Sequence, residues 1–153
     1  MFRLERGVTG FRHGKEPELP VVSIQDFRGA CYEAARASGG IAGQVVERTY
    51  PRNFHSAGLV RSADRFAVVC NAIYPWVAFV EDGAAEVVVP EAFVEPPAWA
   101  TAFIEMGFTV MSRQLLELPL STVDTTASGK GEWLQIRTWR PASVGETVFN
   151  SWD

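Results

Sequence analysis

The chain has 153 residues, of which 47% are hydrophobic and 21% charged, the size and balance of one ordinary globular domain. These values exclude a wholly disordered chain, and no apolar run reaches the ~18 residues that a membrane span requires. The N-terminal stretch lacks the apolar centre of a signal peptide, and two cysteines are too few for a disulfide framework. We therefore expect a reduced, cytoplasmic protein that does not act at a membrane.

Charge is unevenly distributed along the chain, whose net charge is −4. Between Arg65 and Arg113 there is no lysine or arginine, and we call residues 66–112 the acidic stretch. A negative balance argues against binding to nucleic acid and favours a basic protein as partner. The acids of this stretch are Glu81, Asp82, Glu86, Glu91, Glu95 and Glu105.

The first predicted element is a helix over residues 23–38. Ser23 is its candidate N-cap, apolar residues recur at helical spacing, and a glycine pair ends the pattern. Beyond these glycines the apolar period changes to two, which predicts strands over 44–50 and 54–60.

The predicted sheet continues through residues 65–73, whose apolar side chains fall on both faces of a strand. This pattern is typical of a central strand that is covered on both sides. Pro75 interrupts the sheet because it cannot donate to a ladder, and residues 77–90 then predict a hairpin. Asp82-Gly83 has the residue types that type I′ turns select.

Two further helices and a strand are predicted in the last third of the chain. A helix over 96–107 begins with proline in its first turn and ends at Gly107. Ser112 can cap a short helix that ends before the next proline. Apolar and polar residues alternate over 133–139, which predicts a strand, and the glycines of 128–133 predict a hairpin turn before it.

The C-terminal residues include large aromatic side chains at a position where chains usually fray. A capping-box pattern at 143–146 begins a helix that is predicted over 143–152. Val144, Val148 and Trp152 are four residues apart and share one face of it. Because so short a helix is not stable alone in water, we expect it to be docked on the core.

No pattern in the chain specifies a catalytic or a metal site. A hydrolase arrangement of Cys70, His55 and Asn71 is conceivable, but Cys70 lies in a strand among apolar residues, where cysteines are usually inert. The two histidines, His13 and His55, have no metal-ligand spacing, and nothing places two carboxylates in one pocket. We therefore expect no metal, no cofactor and no enzymatic activity.

The acidic stretch is the candidate partner-binding surface. Acidic strand ends interleaved with aromatic side chains suit a basic protein, because opposite charges accelerate encounter and buried aromatic anchors supply affinity. The alternative is a solvated sheet edge whose charges discourage edge pairing. The candidate partner-binding residues are Glu81, Asp82, Glu86, Glu91, Glu95 and Trp76.

The closing stretch, WLQIRTWRPASVGETVFNSWD, contains a recognisable pattern. Its elements are Gln135-Ile136, Trp139-x-Pro141, Val144-Gly145-Glu146 and Phe149-Asn150-x-Trp152-Asp153. It resembles the C-terminal signature of small bacterial proteins, some of which are similar to immunity proteins of polymorphic toxin systems. The run NAIYPWVAF at 71–79 fits the same resemblance more loosely. The resemblance implies an immunity function but assigns no binding or catalytic residue.

Together these patterns predict one α+β domain over 1–153: a largely antiparallel sheet of four to six strands, about three flanking helices and a docked C-terminal helix. The leading functional expectation is a cytoplasmic protein-binding module, an immunity protein that neutralises a basic toxin by occlusion. One alternative is a small enzyme or ligand-binding domain with a pocket near His55, Asn71 or Glu47. Another is a scaffold protein that forms homodimers.

Overall fold

The computed structural model describes residues 1–81, 87, 90 and 92–153. The α-helices in these residues are α1 (Ile24–Ser38), α2 (Thr101–Glu105), α3 (Arg113–Glu117), α4 (Lys130–Trp139) and α5 (Val144–Val148). Single 3-10 turns cover Ala98–Ala100 and Leu120–Thr122. The strands are β1 (Ile41–Val46), β2 (Phe54–Arg61), β3 (Asp64–Asn71), β4 (Trp76–Glu81), β5 (Phe93–Val94) and β6 (Thr109–Val110).

The strands form one sheet in the order β1-β2-β3-β4-β5, in which every neighbouring pair is antiparallel. The short β6 runs parallel to the start of β4. Val68 on β3 lies opposite both Ala57 on β2 and Phe79 on β4, so β3 is an inner strand. The structure confirms the predicted α+β domain and its largely antiparallel sheet.

Both faces of the sheet are buried, and each supports its own apolar core. Helices α1 and α2 cover one face, where Phe27 and Phe103 pack over Val68. The N-terminal segment, α3 and the C-terminal tail cover the other face. The alternate β3 residues Val68 and Val69 are both fully buried, as the two-sided apolar pattern of 65–73 predicts.

Helix α1 follows its local signals closely. The Ser23 hydroxyl accepts a hydrogen bond from the Asp26 N–H at 3.1 Å, which satisfies one of the free donors of the first turn. Gly39 ends the helix in a left-handed conformation with φ of 73°, which favours glycine because it has no Cβ. The Ser112 cap of α3 is confirmed in the same way, since its hydroxyl accepts from the Leu115 N–H.

The predicted strand over 133–139 and the predicted turn at 128–133 are both wrong, because helix α4 occupies this region. Its buried residues, Glu132 and Ile136, are four apart, which is a helical spacing that the alternation over 133–139 hides. The Glu132 carboxylate also accepts from the Gly129 N–H at the helix start. Local capping and good helix formers in KGEWLQIR therefore outweigh the period-two pattern.

Two other predicted boundaries change. The predicted helix over 96–107 is reduced to a 3-10 turn and the five residues of α2. The predicted strand over 44–50 is β1, which starts earlier because Ile41 already pairs with Val60. The predicted Asp82-Gly83 turn lies outside the described residues.

The C-terminal tail is docked on the core as predicted, but it is helical only in α5. The predicted helix over 143–152 ends at Val148, and the following residues continue as non-helical backbone. Val148, Phe149 and Trp152 are nevertheless all buried. Gly145 packs so closely under Phe93 that a Cβ there would lie 2.5 Å from the Phe93 ring.

Three buried asparagines tie the tail to the chain start and to the sheet. The side-chain amides of Asn53 and Asn71 each donate to the carbonyls of Val8 and Val148, at 2.8–3.1 Å. The backbone N–H of Asn150 donates to the Asn53 side chain at 2.9 Å, and the side-chain amide of Asn150 donates to the Thr9 carbonyl at 3.1 Å. Because these groups are buried, each bond replaces one that water would otherwise make.

Candidate partner-binding cleft

A cleft of about 900 Å³ opens where β4 ends, and we call it the cleft throughout. One side is formed by Glu81 at the end of β4 and by β5. Helix α3 contributes the buried Leu116, and the end of α4 and the C-terminal tail complete the lining. Three segments that are distant in sequence therefore meet here.

Acidic and basic side chains share the rim of the cleft. Glu81, Glu117 and Glu146 line it together with Arg113 and Arg140. The Arg113 guanidinium donates to the Glu117 carboxylate at 2.8 Å. This hydrogen bond and the charge of Glu117, with smaller effects of two further acids of the acidic stretch, raise the pKa of Arg113 above its ordinary value.

The two further acids are Glu95 and Glu81, and Glu81 lines the cleft together with Arg113. The acidic stretch is therefore not free of cations in space, because α3 brings Arg113 against it. An ion pair between exposed groups contributes only about 0–1 kcal/mol, so the pairing sets local charge more than stability.

Glu146 is held at the rim by the start of α5. Its backbone N–H donates to the Ser143 hydroxyl at 3.3 Å, and its carboxylate accepts from the Ala142 N–H. Arg140 precedes this turn with a left-handed backbone, φ 50°, and ends α4 by donating its N–H to the Ile136 carbonyl.

Aromatic rings form the tail side of the cleft. Trp139 and Trp152 stack with ring centroids 6.3 Å apart and planes 3° from parallel, and Phe11 stacks on Trp152 at 6.3 Å. Trp152 is buried in this stack, whereas Trp139 is 43% exposed. The Trp139 indole N–H donates to the Gln135 side chain, which fixes the ring. A large, oriented and exposed aromatic ring is typical of an interface anchor.

The structure brings together some of the predicted partner-binding residues and separates others. Glu81 lines the cleft, and Glu95 is exposed nearby. Trp76 lies at the other end of β4, roughly 16 Å away along the strand, and packs on Phe2 and Tyr74 instead. The remaining candidates, Asp82, Glu86 and Glu91, lie outside the described residues.

Sequence reasoning missed Glu117, Glu146, Trp139 and Arg140. The two acids lie outside the cation-free stretch, so no local pattern linked them to Glu81. No local signal could have identified Trp139 as a surface residue, because it follows Ile136 by three residues and therefore lies on the same helical face as the buried residues of α4.

The three residues of the conceivable hydrolase arrangement are buried, and the side chains of His55 and Asn71 are already hydrogen-bonded within the fold. His55 accepts from the Arg48 N–H through Nδ1 and contacts the Val22 carbonyl through Nε2, both at 3.0 Å. Burial lowers the pKa of His55 and raises the pKa of Cys70 well above its usual range, so the imidazole stays neutral and the thiol stays protonated. Asn71 is committed to the network that anchors the tail.

Neither metal ligands nor a membrane-spanning helix is found among the described residues: no group of three histidines, cysteines or acids could hold a metal ion, and no helix there is long and apolar enough to cross a membrane. Comparison of the chain with protein-family models, with curated proteins and with solved structures found no match. The functional proposal therefore depends on the geometry of the cleft and on the C-terminal resemblance.

Proposed function

We propose that this chain is a protein-binding module whose partner is a basic protein that docks at the cleft. The observation that carries the proposal is that Glu81, Glu117 and Glu146 line one cleft together with the exposed ring of Trp139. Arg113 pairs with Glu117. The three carboxylates and two guanidinium groups that line the cleft, including that of Arg140, leave a net charge of −1, which Glu81 and Glu146 supply.

Each part of the cleft has a physical role in such a complex. The rim carboxylates attract a positively charged partner over a distance of about a Debye length, which raises the association rate. Trp139 offers a rigid ring that a partner can cover, and covering an aromatic anchor supplies affinity that rim charges do not.

The more specific form of the proposal is a cytoplasmic immunity protein that blocks a basic toxin by occlusion. The C-terminal resemblance supports this form, because several of the residues that carry it are also residues of the cleft. Trp139, Glu146 and Trp152 all line the cleft, and Gly145 permits the close approach of Phe93 that closes one side of it.

The test begins with the products of the genes beside that of this chain, each purified and assayed for binding to it. For a partner that binds, the association rate is measured with the triple variant Glu81→Gln, Glu117→Gln and Glu146→Gln. The matched control removes three exposed acids elsewhere, at Glu47, Asp64 and Glu105, and changes the net charge equally.

The proposal predicts that the cleft variant associates roughly tenfold more slowly at low salt, and that the control changes the rate much less. Equal effects of the two variants would mean that only net charge matters, which contradicts docking at the cleft. Thermal melting of both variants shows that the fold is retained.

A further inference from the structure

The edge of the sheet faces into the cleft. Strand β5 is the last in the order of the sheet, and Ala92, Phe93 and Val94 line the cleft. The Phe93 ring is held from behind by Phe149, with ring centroids 6.0 Å apart. The strand edge is therefore anchored by packing and lies beside the rim carboxylates.

The register of β5 determines which backbone groups are open. The Glu81 N–H donates to the Ala92 carbonyl at 3.1 Å, and Phe93 lies opposite Val80. Successive residues of an antiparallel strand direct their N–H and C=O alternately towards and away from the partner strand. The backbone N–H and C=O of Ala92 thus point towards β4, and those of Phe93 point away from β4.

These two groups have no hydrogen-bond partner in the part of the chain that the structure describes. An outward donor and acceptor on an anchored strand form a template for one more strand. The side chains around the template favour a basic segment, because three carboxylates and two guanidinium groups give the cleft a net charge of −1, and an acidic strand would be repelled by Glu81 and Glu146.

We infer that an extended, basic segment of the partner adds to β5 as a further strand. This inference rests on the proposed function and specifies how the partner is held. The added strand pairs its backbone with the N–H and C=O of Phe93. Its side chains point alternately to two sides of the added strand. Those on one side are lysines or arginines that reach the rim carboxylates, and those on the other side face the tail side of the cleft.

The first experiment uses the capped peptide Ac-Lys-Val-Lys-Val-Lys-Val-NH2 as probe and ¹⁵N-labelled full-length protein. The inference predicts that the Phe93 amide proton shifts downfield and exchanges more slowly with solvent as the peptide is added. Two further versions of this peptide carry N-methyl groups on alternate backbone nitrogens, one version on the odd-numbered residues and the other on the even-numbered residues. Only one version loses the N–H groups that face β5, and we expect that version to bind roughly tenfold more weakly. A peptide with glutamate in place of lysine should not bind.

A second experiment changes the protein instead of the probe. Replacing Phe93 with phenyllactic acid keeps the ring and exchanges the backbone N–H for an ester oxygen. We expect a loss of affinity for the probe of roughly tenfold, with little change when Phe2, remote from the cleft, is replaced in the same way. Thermal melting of both esters shows whether the fold is retained.

The outcomes separate the inference from the proposed function. Binding that is unaffected by N-methylation in either version of the peptide and by the ester at Phe93 would overturn strand addition. If the triple variant at Glu81, Glu117 and Glu146 still weakens binding of the peptide probe, docking at the cleft is supported. A probe that does not bind at all would also overturn strand addition, and the association rates of the natural partner would then decide the proposed function independently.

Discussion

Replacing Phe149 with alanine should remove much of the stability of the domain. The ring is buried and contacts Phe54 edge-to-face at 6.2 Å and Phe93 at 6.0 Å. Its transfer from water contributes roughly 2–3 kcal/mol, and each ring contact adds about 0.5–1.5 kcal/mol. The sum agrees with the ~3–5 kcal/mol that buried Phe→Ala substitutions cost.

Urea unfolding, followed by far-UV circular dichroism, measures this loss. We expect the midpoint to fall with little change in slope, and the melting temperature to drop by roughly 10 °C. Trp139→Ala is the matched control, because that ring is 43% exposed and its loss should cost far less. A Phe149→Ala protein destabilised by less than about 1 kcal/mol would refute the docked tail.

Further predictions concern buried polar groups. Asn71→Ala leaves the carbonyls of Val8 and Val148 one donor short, so chemical denaturation should show a loss of about 2–4 kcal/mol. The lowered pKa of His55 means that the unfolded chain binds more protons. Stability should therefore fall as the pH drops below 6.5, and His55→Gln should flatten that dependence. Cys70, buried with a raised pKa, should react with a thiol reagent only on unfolding; rapid labelling of the native protein would contradict its burial.

Local signals in the sequence predict the parts of the fold that depend on neighbouring residues. The Ser23 and Ser112 caps, the glycine end of α1 and the two-sided burial of β3 all appear as predicted. In each case the determining atoms lie within a few residues of one another, or the pattern reports burial directly.

Helix α4 shows where this reasoning fails. Over residues 133–139, Leu134 and Ile136 are two apart and fit one face of a strand, and the residue that reveals the helical spacing, Glu132, precedes that window. Its carboxylate is buried against the N-terminal segment, where it accepts from the backbone N–H groups of Gly7 and Thr9. The bond between Gly129 and Glu132 is a local signal for the helix, but the burial of Glu132 depends on a contact between residues more than a hundred positions apart, which leaves none.

The candidate site was only partly predictable for the same reason. A gap between cations in the sequence identified Glu81 and Glu95 but could not show that Arg113 on α3 lines the same cleft as Glu81. Trp139 and Glu146 matched a C-terminal pattern of capping and packing residues. Only the docked tail places them beside Glu81.

The central claim is that the rim carboxylates of the cleft attract a basic partner. Its most direct test is the association rate of the partner between roughly 50 and 500 mM salt, for the natural chain and for the triple variant at Glu81, Glu117 and Glu146. We predict a steep fall with salt for the natural chain and a clearly shallower fall for the variant, so that the two rates converge at high salt. Parallel salt dependences would contradict the claim.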